Sequence, residues 1–331
     1  WTRAHAHLVS ITLAGLAVFF WCKVLHHLDW SYKDTALFAF LALLLEPILG
    51  AANLTRPEAL CFSLLSAAIF FFMKKHYFLA ILLACLATET HPMGVIVFFF
   101  FFSYALSSFS ESDWKHAFLI GSPALVLGIL YFFWINNASL EKVIETIQWG
   151  RQFAPSPFGT FSEYFIHRAY HRHVPELIVL LACAALFIKH KVYESQRFLS
   201  YALVLTLIAS VLIKRSDYIY VIYYFPLFIM MMISVAKLYR KEFVLAILFL
   251  ALLVPQYLFL WWKQGGFDMD QYIAKIRRAV PENSIPIIGS SNNWFAFMQS
   301  GRFIDYGVVL SPEFVEKYDK LYLIEGYYPP Y

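Results

Sequence analysis

Apolar runs of about 17–22 residues recur within the first 262 positions, a length that suits helices crossing a lipid bilayer. A membrane β-barrel would instead show segments of roughly 10 residues with alternating polarity. Short polar or proline-containing breaks separate the runs, so each run is predicted to be its own helix. We predict ten spans, at residues 7–25, 34–52, 58–73, 76–89, 92–108, 116–135, 176–189, 198–213, 218–236 and 243–262.

The composition supports the same class. The chain of 331 residues is 60% hydrophobic and 15% charged, whereas charged residues make up about a quarter of an average soluble domain. We therefore predict an all-α polytopic membrane protein whose partners include membrane lipids. The formal net charge of +4 is small for this length and gives no support to a nucleic-acid partner.

Lysine and arginine concentrate in alternate connections, which the positive-inside bias assigns to the cytoplasm. The connections at 53–57, 89–92, 136–175 and 214–217 then share the outer side. Of these, 136–175 is too long and too polar for a simple connection. The alternative is that 88–92 only kinks one long helix, but later basic loops would then face outward. The basic residues are Lys23, Lys33, Lys74, Lys75, Lys115, Lys189, Lys191, Arg197, Lys237, Arg240 and Lys241.

The chain becomes more polar after residue 262. We predict that residues 263–331 form a small soluble α/β domain on the outer side, incomplete at its end. The pattern favours helices at 268–279 and 294–298 and strands at 285–289 and 321–324. Because the first residue is Trp1 and not methionine, we also expect a missing segment before it.

Candidate chemistry begins at Arg56, Pro57 and Glu58, at the head of the third span. Glu46 lies in the preceding span below the same surface. A carboxylate deep in a span costs about 2.5–3.5 kcal/mol on insertion scales, so it usually faces a cavity or a partner. The alternative is a solvated helix cap with an arginine that snorkels to the surface.

Two further breaks on the outer side carry polar groups. Glu89 and His91 flank a tight break before Pro92, and either a structural or a substrate-binding role fits them. Lys214 and Arg215 form a cation pair on the side that the positive-inside bias disfavours, and such a pair suits a phosphate. The tyrosines that follow fit an interfacial aromatic belt or a surface for stacking sugars; they include Tyr218, Tyr223 and Tyr224.

Metal and disulfide chemistry have little support in the sequence. The four cysteines all fall in apolar runs without metal-ligand spacing. His167 and His171 are spaced as a helical metal pair would be, but no acidic third ligand is near. We predict no cofactor, no metal and no disulfide, and we predict that the segment from His167 to His173 is a cationic surface that contacts lipid headgroups or a lipid-linked phosphate.

In this order, these motifs resemble the C-type glycosyltransferase (GT-C fold) superfamily, most closely its protein-mannosyltransferase and lipid A aminoarabinose-transferase branch. The resemblance implies a polyprenyl-phosphate sugar as donor, of dolichyl or undecaprenyl type, and an active site on the outer face. It also implies an aspartate base in a loop that would precede Trp1. By position, Arg56 and Glu58 match the rim motif, and Lys214 and Arg215 match the phosphate contact.

The sequence thus predicts an integral membrane glycosyltransferase, in the plasma (inner) membrane if bacterial. The acceptor would be a lipid, a glycan or a protein. Glu58 is the candidate catalytic residue, and the substrate-binding candidates are Arg56, Glu46, Glu89, His91, Lys214, Arg215, Tyr218, Tyr223 and Tyr224. A transporter or flippase of lipid-linked sugars is the alternative, although the sequence lacks the internal repeat that is common in transporters.

Overall fold

The protein is mostly helical in the computed structural model. The structure describes residues 3–45, 48–49, 57–135, 141, 161, 165, 173–213, 218–264, 269–280, 285–289, 303–305, 320 and 322–324. The chain divides into two compact units, Trp1–Val254 and Pro255–Tyr331, whereas the sequence placed the boundary at residue 262.

Eleven helices and two 3-10 turns, among the described residues, begin in the first unit. The helices are α1 (Arg3–His27), α2 (Tyr32–Leu44), α3 (Pro57–Met73), α4 (Tyr77–Thr90), α5 (Ile96–Ser108), α6 (Glu111–Ile135), α7 (Val174–Lys189), α8 (Val192–Ser195), α9 (Arg197–Ile213), α10 (Phe225–Leu238) and α11 (Glu242–Gln264). The 3-10 turns are Pro92–Val95 and Tyr218–Tyr223. Apart from the short α8, which lies in a predicted connection, these elements fall within or overlap the ten predicted apolar runs, and α2 ends earlier than its predicted run.

Local signals in the sequence explain where several helices begin. Ser31 caps α2, because its hydroxyl accepts a hydrogen bond from the backbone N–H of Asp34 at 3.2 Å and donates one to the Asp34 carboxylate at 2.7 Å. Pro57 opens α3 and Pro175 lies in the first turn of α7, where a missing backbone N–H has no effect on helix hydrogen bonding.

The basic connections predicted from the sequence lie together at one end of the first unit, which we call the basic end. Side-chain contacts join the connections to one another: Lys75 to Asp113 (2.7 Å), His27 to Tyr104 (3.2 Å), Lys237 to Asp34 (2.6 Å), His190 to Tyr239 (2.7 Å), and the ring of Tyr104 to that of Phe198 (6.2 Å between centroids). The hydrogen bond between Lys75 and Asp113 raises the pKa of Lys75 above its ordinary value. The alternation read from the charges therefore corresponds to a real clustering of these loops.

The chain reverses direction between α4 and α5. The ring of Tyr77, the first residue of α4, lies 5.9 Å from that of Phe109, which directly follows α5. The start of α4 and the end of α5 are therefore at the same end of the unit. A kinked continuous helix would have placed them far apart, so the predicted break at residues 88–92 is a true reversal.

Helix α10 is the centre of the first unit. Every residue from Phe225 to Ala236 is buried, and α10 packs against α2, α7 and α9. A helix that is apolar on all sides and buried on all sides belongs to the interior of a bundle. In contrast, α6 exposes much of its apolar surface, including Phe118, Leu119 and Trp134.

The number of spans differs from the prediction. Of the helices that the structure describes, two are long and apolar enough to cross a membrane by length and composition, His7–His27 and Glu111–Trp134, and not about ten. Helices α2 to α5, α7, α9 and α10 have 13–17 residues. At ~1.5 Å per residue, such helices are shorter than the ~30 Å hydrocarbon core of a bilayer.

Glycine allows α4 and α6 to approach closely. A Cβ added at Gly128 would lie 2.4 Å from the Cys85 sulfur and 2.6 Å from its Cβ. A Cβ at Gly121, on the same helix, would lie 3.1 Å from Ile81. The crossing of these two helices therefore depends on the missing side chain at Gly128.

The second unit contains one helix and a small sheet within its described residues. Helix α12 (Met269–Ala279) and the strands β1 (Ile287–Gly289) and β3 (Tyr322–Ile324) fall where the sequence predicted them, and β2 (Phe303–Asp305) was not predicted. The sheet is parallel in the order β2-β1-β3, with Ile288 opposite Ile304 and Leu323. Strands of three residues do not amount to the clear α/β domain that was expected, and the predicted helix at 294–298 lies outside the described residues.

Candidate functional site

Glu58 lies in the first turn of α3 and is almost fully buried, with 1% of its surface exposed. Pro57 fixes the start of this helix, so the carboxylate is close to the positive end of the helix dipole. One turn later, the Cys61 thiol donates a weak hydrogen bond to the backbone oxygen of Ala87 in α4, at 3.4 Å. The head of α3 is therefore attached to the end of α4.

His91 occupies the reversal between α4 and the 3-10 turn that precedes α5. Its backbone is extended and its N–H donates to the oxygen of Ala87 at 3.0 Å. Its ring Nδ1 accepts a hydrogen bond from the backbone N–H of Met93 at 3.1 Å. A nitrogen that accepts this bond carries no proton, so the proton of the neutral ring is on Nε2. The ring is 9% exposed.

Tyr223 connects Glu58 and His91. Its ring centroid lies 6.3 Å from that of His91, with an angle of 26° between the planes. Glu58 and Cys61 are among the groups that act electrostatically on its hydroxyl. The centroid of Tyr220, one turn earlier, is 4.9 Å from that of His91. We call these five residues, Glu58, Cys61, His91, Tyr220 and Tyr223, the polar cluster.

Aromatic side chains surround the polar cluster. Phe62 meets Tyr223 edge to face, with 6.2 Å between the ring centroids. Tyr224 caps α10 and is buried, and its ring lies 4.9 Å from that of Phe161, which also contacts Phe228 at 6.0 Å. Phe161 belongs to the long connection between α6 and α7, so part of that connection packs at the head of α10.

The polar cluster and the basic end lie at opposite ends of the same helices. Helix α3 begins next to Glu58 and ends at Met73, beside the basic connection that contains Lys75. Helix α10 begins after Tyr223 and ends near Lys237, which is paired with Asp34 at the basic end. The polar cluster is therefore a helix length away from the basic loops.

The structure describes half of the predicted site residues in detail. It places Glu58, His91, Tyr223 and Tyr224 near the head of α10, and Glu89 half-buried in the last turn of α4. Tyr218 opens the 3-10 turn that ends with Tyr223, and only its backbone is described. The remaining candidates lie outside the described residues: Arg56, Glu46, Lys214 and Arg215.

Sequence reasoning missed Cys61 in the polar cluster and the pairing of His173 with Glu176. Cys61 follows Glu58 by one helical turn, so helical spacing from Glu58 could have found it. Tyr220 belongs to the run of tyrosines after Arg215 that was interpreted as a belt or a stacking surface, but it was not chosen as a site residue. His173, expected on a cationic surface, is 1% exposed and its Nδ1 lies 3.6 Å from the carboxylate of Glu176. That prediction was therefore wrong for His173, and the rest of the 167–173 segment is outside the described residues.

Within the part of the chain that the structure describes, no group of three His, Cys, Asp or Glu side chains is arranged to hold a metal ion. All four cysteines are free thiols. The prediction of no metal and no cofactor concerns the whole chain and stays a prediction. Comparison with protein-family models, curated proteins and solved structures found no match to this chain.

The polar cluster offers a carboxylate, an imidazole and phenol groups in apolar surroundings. A carboxylate can accept a proton from a hydroxyl, and an imidazole with its proton on Nε2 can donate a hydrogen bond to an oxygen. Low local polarity strengthens both interactions. The arrangement is therefore suited to a polar, oxygen-rich ligand carried on an apolar group.

Proposed function

We propose that this chain is a multi-pass membrane glycosyltransferase, which moves a sugar from a polyprenyl phosphate to an acceptor hydroxyl on the non-cytoplasmic side. The observation that carries the proposal is the buried carboxylate of Glu58. It acts electrostatically on the hydroxyl of Tyr223, and the ring of Tyr223 lies beside that of His91. A buried charge destabilises a bundle unless its interactions compensate for lost hydration. Ionisable side chains within apolar membrane helices usually belong to a functional site.

The reaction needs few groups from the protein. The acceptor oxygen attacks the anomeric carbon of the donor and its proton passes to the Glu58 carboxylate. The bond between the anomeric carbon and the phosphate oxygen breaks, and the polyprenyl phosphate leaves with the electron pair. The His91 Nε2–H donates a hydrogen bond to an oxygen of the departing phosphate, where negative charge develops.

The charges that hold the phosphate come from residues proposed on sequence alone. Lys214 and Arg215 precede the 3-10 turn that carries Tyr220 and Tyr223. Two cations there would stabilise the phosphate in the ground state and as it leaves. Arg56, two residues before Glu58, would bind substrate at the rim of the site. Glu46 would lie in the same solvated cavity as Arg56 and Glu58.

The multi-pass topology rests on the clustering of the basic loops. Two helices meet the length of a span by themselves, and the shorter helices α2, α7 and α9 pack against the buried α10. Short helices remain compatible with a bilayer when the bilayer thins locally or when flanking side chains snorkel to its surface. With the basic end in the cytoplasm, the polar cluster faces the outer side.

Cysteine labelling tests this orientation. We expect a cysteine introduced at Ser156, in the long connection, to react with a membrane-impermeant maleimide added outside intact cells. A cysteine at Ser110, which is exposed at the basic end, should react only after the membrane is opened. The unsubstituted protein measures the background from its four native thiols. Labelling of Ser110 but not Ser156 in intact cells would reverse the orientation and remove the outer-face site.

A transfer assay tests the activity. Membranes that contain the full chain should move radiolabelled sugar from mannose- or aminoarabinose-linked polyprenyl phosphate to endogenous acceptors. The variants Lys214→Ala and Arg215→Ala should each lose roughly ten- to a hundredfold of this rate, because each charge-assisted contact contributes about 1.5–3 kcal/mol. Lys115→Ala, at the basic end, is the control. Movement of the labelled lipid across vesicles without transfer would instead favour the transporter, and an unchanged double variant would remove the phosphate role.

A further inference from the structure

Tyr223 was expected to offer its ring to a sugar, but the ring is not available for stacking. The residue has no exposed surface. Phe62 meets the ring edge to face and the imidazole of His91 lies nearly parallel to it. Stacking a sugar on an aromatic ring requires an accessible face, so the stacking role does not hold for Tyr223, and the group left to explain is its hydroxyl.

The hydroxyl of Tyr223 is buried and makes no hydrogen bond with any residue that the structure describes. The nearby Cys61 thiol is at most a weak partner for it. A thiol is a weak acceptor, and this one donates its own hydrogen to the Ala87 oxygen. Because leaving a buried hydroxyl unbonded costs free energy, a hydroxyl in the polar cluster needs an explanation beyond packing.

We propose that the Tyr223 hydroxyl hydrogen-bonds one hydroxyl group of the donor sugar and thereby selects the sugar. A phenol can both donate and accept a hydrogen bond, as can a sugar hydroxyl. The neighbouring Glu58 carboxylate accepts only, which restricts the orientations that a bound sugar can adopt. This inference rests on the proposed transferase function, since it assigns Tyr223 to the donor site of that reaction.

The structure supplies a matched control at the opposite end of the bundle. Tyr77 also has no exposed surface, and its hydroxyl likewise makes no hydrogen bond with the described residues. It packs against Phe72, Phe109 and His116 at the basic end. Tyr77→Phe and Tyr223→Phe therefore remove the same atom from equivalent burial, and only one of these hydroxyls lies in the polar cluster.

The first measurement compares kinetics with stability. Tyr223→Phe should lower kcat/KM for the mannose- or aminoarabinose-linked donor by roughly two- to tenfold, the effect of one neutral hydrogen bond. Tyr77→Phe should leave kcat/KM unchanged. Neither variant should lower the thermal unfolding temperature, because each replaces an unbonded buried hydroxyl by hydrogen. A purely structural role for Tyr223 would change the unfolding temperature and leave the kinetics as they are.

The second measurement uses donors that lack one sugar hydroxyl each. The unsubstituted protein should discriminate against one deoxy donor more than Tyr223→Phe does, because a site that bonds a hydroxyl rejects the analogue without it. Equal discrimination by both proteins against every deoxy donor would overturn the inference and leave the transferase standing. If the unsubstituted protein transfers no sugar from any donor, the transferase function itself fails and this role fails with it.

Discussion

Replacing Glu58 by glutamine is expected to lower the rate of sugar transfer at least a hundredfold. The substitution keeps the shape of the side chain and removes its ability to take a proton. General base catalysis by a positioned side chain contributes about a hundred- to ten-thousandfold to a rate. Because Glu58 is buried and close enough to Tyr223 to act electrostatically on its hydroxyl, water cannot easily replace it. The measurement is kcat for transfer from the labelled donor in membranes, with the KM for the donor expected to change little.

Glu111→Gln is the control for this experiment. Glu111 also lies in the first turn of a helix, α6, but at the basic end, where its side chain is 85% exposed and pairs with Lys115. An exposed pair of this kind contributes little to stability, so this variant should transfer sugar at the normal rate. A loss below tenfold for Glu58→Gln would show that Glu58 is not the base, and a loss confined to KM would assign it to substrate binding.

Much of the helical unit could be predicted because its signals are local. Apolar runs, prolines at helix starts and alternating basic loops follow from propensity and the order of the chain. The reversal at His91 followed from the polar break and Pro92. The contacts of Lys75 with Asp113 and of Lys237 with Asp34 then agree with the predicted grouping of the basic loops.

The depth and surroundings of each helix could not be predicted in the same way. Helices α6 and α10 both appear in the sequence as apolar spans, yet α10 is buried on every side and α6 is largely exposed. An apolar helix face has the same sequence whether it contacts lipid or protein. The sequence therefore could not show which apolar helices are buried within the bundle and which expose their surface.

The site shows the same limit at the level of side chains. Sequence reasoning chose Glu58, His91 and Tyr223, and the structure brings them together. Sequence reasoning could not show that Phe62 and His91 cover the Tyr223 ring, because those contacts join three separate helices or turns. Which face of an aromatic residue remains free depends on tertiary packing, and local pattern carries no information about it.

Replacing Gly94 by alanine is expected to destabilise the protein by about 3 kcal/mol, near the upper end of the usual range for overpacking. The 3-10 turn Pro92–Val95 folds back over the end of α4. A Cβ at Gly94 would lie 2.4 Å from the backbone carbon and oxygen of Ala87 and 2.5 Å from the nitrogen of Thr88. Backbone atoms of a helix cannot move aside as a flexible side chain does, so the turn must leave its position.

The same displacement should affect the polar cluster, because the Ala87 oxygen accepts hydrogen bonds from both the His91 N–H and the Cys61 thiol. Thermal unfolding in detergent measures the stability, and donor transfer measures the site. Gly15→Ala is the matched control, since a Cβ there meets no atom within 4 Å, and alanine in a helix is favoured over glycine by up to about 1 kcal/mol. We expect Gly15→Ala to unfold at or above the normal temperature and to retain transfer. If Gly94→Ala unfolded at the normal temperature and transferred sugar normally, the close approach of this turn to α4, and with it the position of His91, would be wrong.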